Sequence, residues 1–375
     1  MKSIASSDTT PLDTAASDVA PAGRAPRVVA FERGRFGGAV RFRTLVVVAG
    51  LLAVTFAALV ASLALGDYEL PWTDVVTGLF RAGPADAELV VHELRLPRAL
   101  VAILVGFALG MAGAVFQAVT RNPLAGPDLI GISAGAGAGA VLAILLGGVG
   151  TGQSSTYGAV PLGAVIGALA TAAVIYLLAF RGGTITGYGF VLVGIAVNGM
   201  LAAFTRWMLA RIDVDAATRA TAWLTGSLDG REYTHVRWMV YALIVLVPLT
   251  VALVRPYRML QFDDDLAAGL GMPVARSRVL LLVLATGLTA VATACAGPVV
   301  FVALAAPQIA RRLSGAPGLP LVTSGLVGAA LVALADVVAR TAFPEQLPVG
   351  IVTGAVGAPY LLWLLARNNR AGKGG

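Results

Sequence analysis

The sequence predicts an all-α polytopic membrane protein with about ten transmembrane helices. Three observations predict it. Apolar residues make up 58% of the 375 positions and charged residues only 13%. Apolar runs of about 20 residues, the length a helix needs to cross the hydrocarbon core, recur along the chain. The 45 glycines suit the close approach of helices in lipid, where small residues let backbones meet. A β-barrel would instead show short strands of alternating polarity, and the sequence lacks them.

Residues 1–40 are rich in Ser, Thr, Asp, Ala, Pro and Gly and lack apolar periodicity, which predicts a disordered tail. The first apolar run begins near Leu45 and is too long for the core of a signal peptide. The runs then fall near 45–66, 97–117, 131–148, 159–180, 189–210, 236–254, 279–300, 301–313, 321–339 and 348–366, with 301–313 broken by Pro307. A membrane domain is therefore expected over 41–368, followed by a short C-terminal tail over 369–375.

Charge sets the orientation. The formal net charge is +7, but the basic residues flank the apolar runs, as membrane topology requires and nucleic-acid binding does not. With ten crossings and both termini in the cytoplasm, two-thirds of the 27 basic residues fall on the inside. The outside loop 67–94 is acidic (Asp67, Glu69, Asp74, Asp86, Glu88, Glu93). Cys295 is the single cysteine and sits in an apolar run, so it reads as a buried thiol. Ala112-Gly113, Pro123 and Gly131 recur as Ala296-Gly297, Pro307 and Gly315, a constant offset that either marks a duplicated half or arises by chance in a Gly/Ala-rich chain.

No pattern for a bound cofactor is present. A phosphate-binding loop needs a Gly-rich turn ending in Lys-Ser or Lys-Thr, and Gly372-Lys373 in the tail is the sole Gly-Lys. His92 and His235 stand alone and read as solvated loop residues rather than metal ligands. Gly131-Ile-Ser-Ala-Gly135-Ala-Gly-Ala-Gly139 reads either as tight helix packing or as a pore-lining segment. The glycine-rich inside loop 181–189 adjoins a run, and Thr184, Thr186, Gly187 and Tyr188 are its candidate inner-gate residues.

Four motifs carry more chemistry. Arg95-Leu-Pro-Arg98 opens the second run, which ends at a polar break, Arg121-Asn122-Pro123. Residues 258–278 form the most polar inside loop. There Asp263-Asp264-Asp265 can begin a short helix, because acidic groups suit a helix N-terminus, and Gly269 and Gly271 can end it before Pro273. The stretch 297–312 carries Pro307-Gln308. Finally, Asp336 and Arg340 sit four apart on one helix face and can pair; this reads either as a local ion pair ending the helix or as a functional site.

These motifs resemble those of permeases of bacterial ABC importers for iron–siderophores, haem and cobalamin, over roughly residues 45–367. The resemblance implies a type II importer permease fold in the cytoplasmic membrane. It also implies a second permease subunit, two cytosolic ATPase subunits and an extracytoplasmic binding protein. By motif, it assigns Arg95, Arg98 and Arg340 to docking of the binding protein. It assigns Asp265, Ala268, Gly269, Leu270, Gly271, Met272 and Pro273 to coupling with the ATPase. Gln308 stands where such permeases usually carry histidine, and an amide cannot titrate. Trp223–Val236 is similar to an outside loop of permeases for catecholate siderophores of the enterobactin kind. The rival expectation is a stand-alone, ion-coupled secondary transporter, for which Asp336 is the main candidate carboxylate.

Overall fold

The structure, a computed structural model, describes residues 28–33, 36–66, 71–147, 153–181, 184–185 and 187–371. It opens with a hairpin in which β1 (Val28–Arg33) pairs antiparallel with β2 (Phe36–Arg41), Val28 lying opposite Arg41. The last part of the 1–40 segment therefore has regular structure, contrary to the expectation of disorder. Its polar composition hid Val28, Val29, Phe31, Phe36 and Val40, residue types that favour extended backbone. Residues 1–27 lie outside the described residues.

Helices follow: α1 (Phe42–Ala64), α2 (Trp72–Leu79), α3 (Ala85–Leu89), α4 (Leu96–Thr120), α5 (Pro127–Ile130), α6 (Ile132–Gly147) and α7 (Gln153–Ala179). A two-residue pairing of β3 (Phe180–Arg181) with β4 (Thr184–Ile185) precedes α8 (Gly187–Leu209) and α9 (Val214–Leu224). The chain continues through α10 (Tyr233–Ala252), α11 (Val254–Met259), α12 (Asp264–Gly269) and α13 (Val274–Ala296). It ends with α14 (Val302–Ser314), α15 (Leu321–Thr341) and α16 (Val349–Ala371).

Each predicted apolar run coincides with one of α1, α4, α6, α7, α8, α10, α13, α14, α15 and α16. Among the described residues, 7 helical segments are long and apolar enough to cross a membrane. Ile132–Leu146 and Val349–Trp363 are apolar but shorter, and α14 carries Pro307 in its interior. α16 extends into the expected C-terminal tail as far as Ala371. The helix at Arg95 starts earlier than its proline implies. A π-helical stretch, Val90–Arg95, joins α3 to α4, making one apolar helical segment from Ala85 to Thr120. Pro97 has no N–H to reach the carbonyl of Glu93, and the wider turn falls where that donor is missing.

α4 is the centre of the bundle. Within its most apolar window 78% of residues are buried, against 11% for α1, so α4 faces protein on all sides while α1 stands at the periphery. Glycine sets its distance from its neighbours. A Cβ on Gly106 would strike the carbonyl of Gly328, one on Gly110 that of Ser324, and one on Gly113 that of Ala303. α4, α15 and α14 therefore touch backbone to backbone. The stripe in α6 works the same way: a Cβ on Gly139 would strike Gly163 of α7, and one on Gly135 would strike Thr171. Packing accounts for these two glycines, while Gly137 between them lines a cavity. The recurrence along the sequence aligns like elements only in part: Gly131 and Gly315 each end a helix in the left-handed conformation, whereas Gly113 lies inside α4 and Gly297 ends α13.

Candidate functional sites at the two ends of α4

At one end of α4, the three motif arginines lie close together and are buried. Arg95 (5% exposed) donates from Nη1 to the carbonyls of Leu63 and Ala64, at 2.7 and 3.2 Å, fastening the π-helical stretch to the end of α1. Arg98 donates from Nε to Asp336 Oδ1 at 3.0 Å, and its Nη2 lies 2.9 Å from the same oxygen. Arg340 completes the cluster, with Nε 3.6 Å from Asp336 Oδ2 and Nη2 donating to the carbonyl and hydroxyl of Ser62, both at 2.9 Å. Asp336 thus serves two arginines from two helices and is more than a local helix-ending pair. The far side of the Arg98 guanidinium faces Asp229 at 3.5 Å and Gln346 at 3.4 Å, the Asp229 side chain being 83% exposed. Sequence reading missed Ser62, in α1, and the loop residues Asp229 and Gln346, because single polar residues far away in the chain carry no periodic signal.

This arrangement also bears on ion coupling. Asp336, 1% exposed, is held by two cations, so it is poorly placed to take up and release a coupling ion.

At the other end of α4, the 258–278 segment forms a compact knob. α12 begins at the expected acidic run, but Asp263 makes no side-chain cap; instead Asp263 and Asp264 pair with Arg121 at the end of α4. Gln261 Oε1 accepts from the Leu319 amide at 2.9 Å, and the Tyr257 hydroxyl donates to the Leu319 carbonyl at 2.8 Å. Burial pushes the Tyr257 phenol above its ordinary pKa, so it stays a donor. Gly271 turns the chain at φ +80°, where a side chain would be strained. Asp265, Ala268, Gly269, Leu270, Gly271 and Pro273 are exposed and Met272 is half-buried. Phe262, Leu266 and Leu270, spaced four apart, present exposed apolar surface on an otherwise polar loop.

Of the inner-gate candidates, Thr184 lies in β4, Gly187 and Tyr188 begin α8, and Thr186 lies outside the described residues. Gln308 is buried in α14. Its Nε2 donates to Gln117 Oε1 at 2.6 Å, and Gln117 Nε2 donates to the Leu304 carbonyl at 2.9 Å, so an amide pair clasps α14 to α4. His235 is a buried residue of the first turn of α10, whose Nδ1 accepts from the Glu232 amide at 3.3 Å, which corrects its reading as a solvated loop residue. His92 is half-buried beside the carbonyls of Gly78 and Leu79. A cavity of about 400 Å³ opens between α6, α8 and α9, lined in part by Asp128, Ser133, Gly137, Thr205, Arg206 and Leu224; Ser133 and Gly137 belong to the Gly131–Gly139 segment, whose sequence reads alternatively as a pore lining.

A bundle of apolar helices built round one buried helix, with a charged rim at one end and a protruding knob at the other, defines a membrane transport permease. Comparison with known proteins places it more narrowly. The model of the FecCD transport family matches residues 52–367, and the chain belongs to that family. It is thus a multi-pass protein of the bacterial cytoplasmic membrane. It is 41% identical over 306 residues to the ferric enterobactin transport system permease of Escherichia coli (strain K12), covering 81% of this chain and 91% of that one. It is 40% identical over 346 residues to the achromobactin transport system permease of Dickeya dadantii (strain 3937), covering 91% and 97%. Among solved structures it superposes on a metal-chelate type ABC transporter in an inward-facing conformation, with a TM-score of 0.74 and 26% identity, over 86% of this chain and 99% of that one.

Proposed function

We propose that this chain is the permease subunit of an ATP-driven importer that moves an iron–siderophore, or a related metal chelate, from a binding protein into the cytoplasm. The observation that carries the reading is similarity along almost the whole chain to permeases for ferric enterobactin and achromobactin. Residues 41–368 form the permease domain, flanked by the tails 1–40 and 369–375. The chain crosses the membrane ten times in the manner of a type II importer, with both termini inside, and pairs with a second permease subunit, identical or paralogous.

Two cytosolic ATPase subunits seat on residues 258–278 and carry out all ATP hydrolysis. The exposed apolar residues Phe262, Leu266 and Leu270 on and beside α12 support this, since an exposed apolar patch marks a surface that a partner covers. The binding protein docks on the rim of Arg95, Arg98 and Arg340. Guanidinium groups suit carboxylate partners because the planar fork pairs with both oxygens. The cavity beside Thr205 and Arg206 belongs to the pathway, and residues 184–188 form the inner gate. Nucleotide in the ATPase subunits shifts the permease between outward- and inward-facing populations.

The test is transport. Proteoliposomes holding the permease, its ATPase and its binding protein should accumulate radiolabelled ferric enterobactin only when supplied with ATP, and collapse of the proton gradient should leave uptake intact. Uptake driven by an ion gradient without ATP would overturn the proposal in favour of a stand-alone secondary transporter.

A further inference from the structure

Besides the Gln261–Leu319 hydrogen bond, the knob is fastened to the bundle at a carboxylate shared by two arginines. α4 ends at Arg121, whose backbone adopts φ 51°, a left-handed conformation that non-glycine residues rarely take. This turn aims its side chain at the knob. Arg121 Nε donates to the Leu260 carbonyl at 3.2 Å, Nη1 lies 3.4 Å from Asp263 Oδ1, and Nη2 pairs with Asp264. Arg278, in the first turn or so of α13, reaches the same Asp264 from the other side, donating from Nη2 to its two oxygens at 2.9 and 3.0 Å. The first residue of α12 is therefore held between the end of α4 and the start of α13.

α12 has little else to hold it. It is 6 residues long and buries only Ala267 of its own residues. A helix this short has no stability of its own in water, so its position is set by what grips it. α4, by contrast, is long, buried and in backbone contact with α15 and α14. The same helix carries Arg98 at its opposite end. A displacement of α12 that reaches Arg121 thus reaches a stiff element running to the opposite rim.

We propose that Arg121 is the positioning residue that transmits movement of the ATPase-seated knob into α4, through its bridge to Asp264 and Arg278. This rests on the seating of the ATPase on residues 258–278 proposed above. The bridge differs from the seat itself: Leu266 and Leu270 are exposed and contact the partner, whereas Arg121, at the end of α4, engages Leu260, Asp263 and Asp264 of this chain.

The experiment uses the complete transporter in proteoliposomes, reading bound ATPase, ATP hydrolysis and uptake of ferric enterobactin. Arg121→Ala should retain the ATPase subunits and hydrolyse ATP, while uptake per ATP falls at least ten-fold. Arg121→Lys, which keeps the charge on a flexible stem, should recover much of that ratio; a purely structural role would not be restored this way without also changing the melting temperature. Leu270→Glu reports on the seat alone and should release the ATPase. If Arg121→Ala transports within two-fold of wild type per ATP while Leu270→Glu loses the ATPase, the relay is overturned and the seat stands. If Arg121→Ala releases the ATPase as well, the bridge builds the seat and carries no movement, which also overturns the proposal. Leu270→Glu with its ATPase still bound would overturn the seat itself.

Discussion

Arg98 and Asp336 are 238 positions apart in the sequence and form one buried ion pair, with Nε 3.0 Å and Nη2 2.9 Å from a single carboxylate oxygen. The pair ties α4 to α15 at one end, while Gly106 and Gly328 bring the same helices into backbone contact further along. Small residues set the spacing of the two helices, and the ion pair helps to set their register.

A buried pair is most sensitive to the loss of one member, because the survivor is left charged in a poor solvent. Arg98→Ala should destabilise the permease by about 3–5 kcal/mol. The double change Arg98→Gln with Asp336→Asn preserves the net charge of the cluster, since Arg340 remains as its cation, and should recover most of the loss. Thermal unfolding of the purified permease in detergent reads both effects. A single variant that melts with the wild type would show that the pair does not hold the helices together.

The glycine contacts make a sharper prediction. Gly106→Ala inserts a methyl group against a carbonyl that cannot move aside without shifting α15, and overpacking of this kind typically costs about 1–3 kcal/mol. Gly50→Ala in α1 meets nothing within 4 Å and should be neutral or slightly stabilising. Equal melting temperatures for the two variants would contradict the close approach of α4 and α15.

These contacts show what could be read along the chain and what could not. The apolar runs were legible because each spans enough residues to leave a signal, and the Arg95–Arg98 and Asp336–Arg340 motifs were legible because their spacing is short. The joining of Arg98 to Asp336 was not, since pairing between helices depends on packing that no local pattern records. The hairpin at 28–41 was hidden by averaging over a polar tail. α9 and α11 were too short for periodicity to reveal. Asp264 was passed over in favour of its neighbour Asp265, because the direction in which each carboxylate points depends on where Arg121 and Arg278 arrive in space.

Orientation can be tested with single cysteines. Cys295 is buried and gives little background labelling by an impermeant maleimide. Ala85→Cys and Asp265→Cys occupy exposed positions at opposite ends of the α4 segment. In intact spheroplasts Ala85→Cys should label and Asp265→Cys should not, and in inverted vesicles the pattern should reverse. Labelling of both positions from the same side would overturn the ten-crossing arrangement with cytoplasmic termini.

Docking on the arginine rim is best tested without breaking the fold. Charge reversal at Arg98 would place a second carboxylate against buried Asp336, so lost binding could simply report a lost structure. The double variant Arg98→Gln with Asp336→Asn avoids this, because it removes the outward-facing cation while leaving the buried cluster with the same net charge. If Arg98 meets a carboxylate of the binding protein, this variant should melt near the wild type yet bind the loaded binding protein at least ten-fold more weakly, about 1.4 kcal/mol, at low ionic strength. The difference should narrow at high salt, where the wild-type attraction is itself screened. Asp229→Asn should act in the opposite sense. Its exposed carboxylate sits 3.5 Å from Arg98 Nη1, competing for the nitrogen that the partner would use, so neutralising it should tighten docking. Surface plasmon resonance on the reconstituted permease at two salt concentrations measures all three proteins. Unchanged affinity in the double variant, with its melting temperature preserved, would assign Arg98 to holding α4 against α15 and move the docking contact elsewhere on the rim.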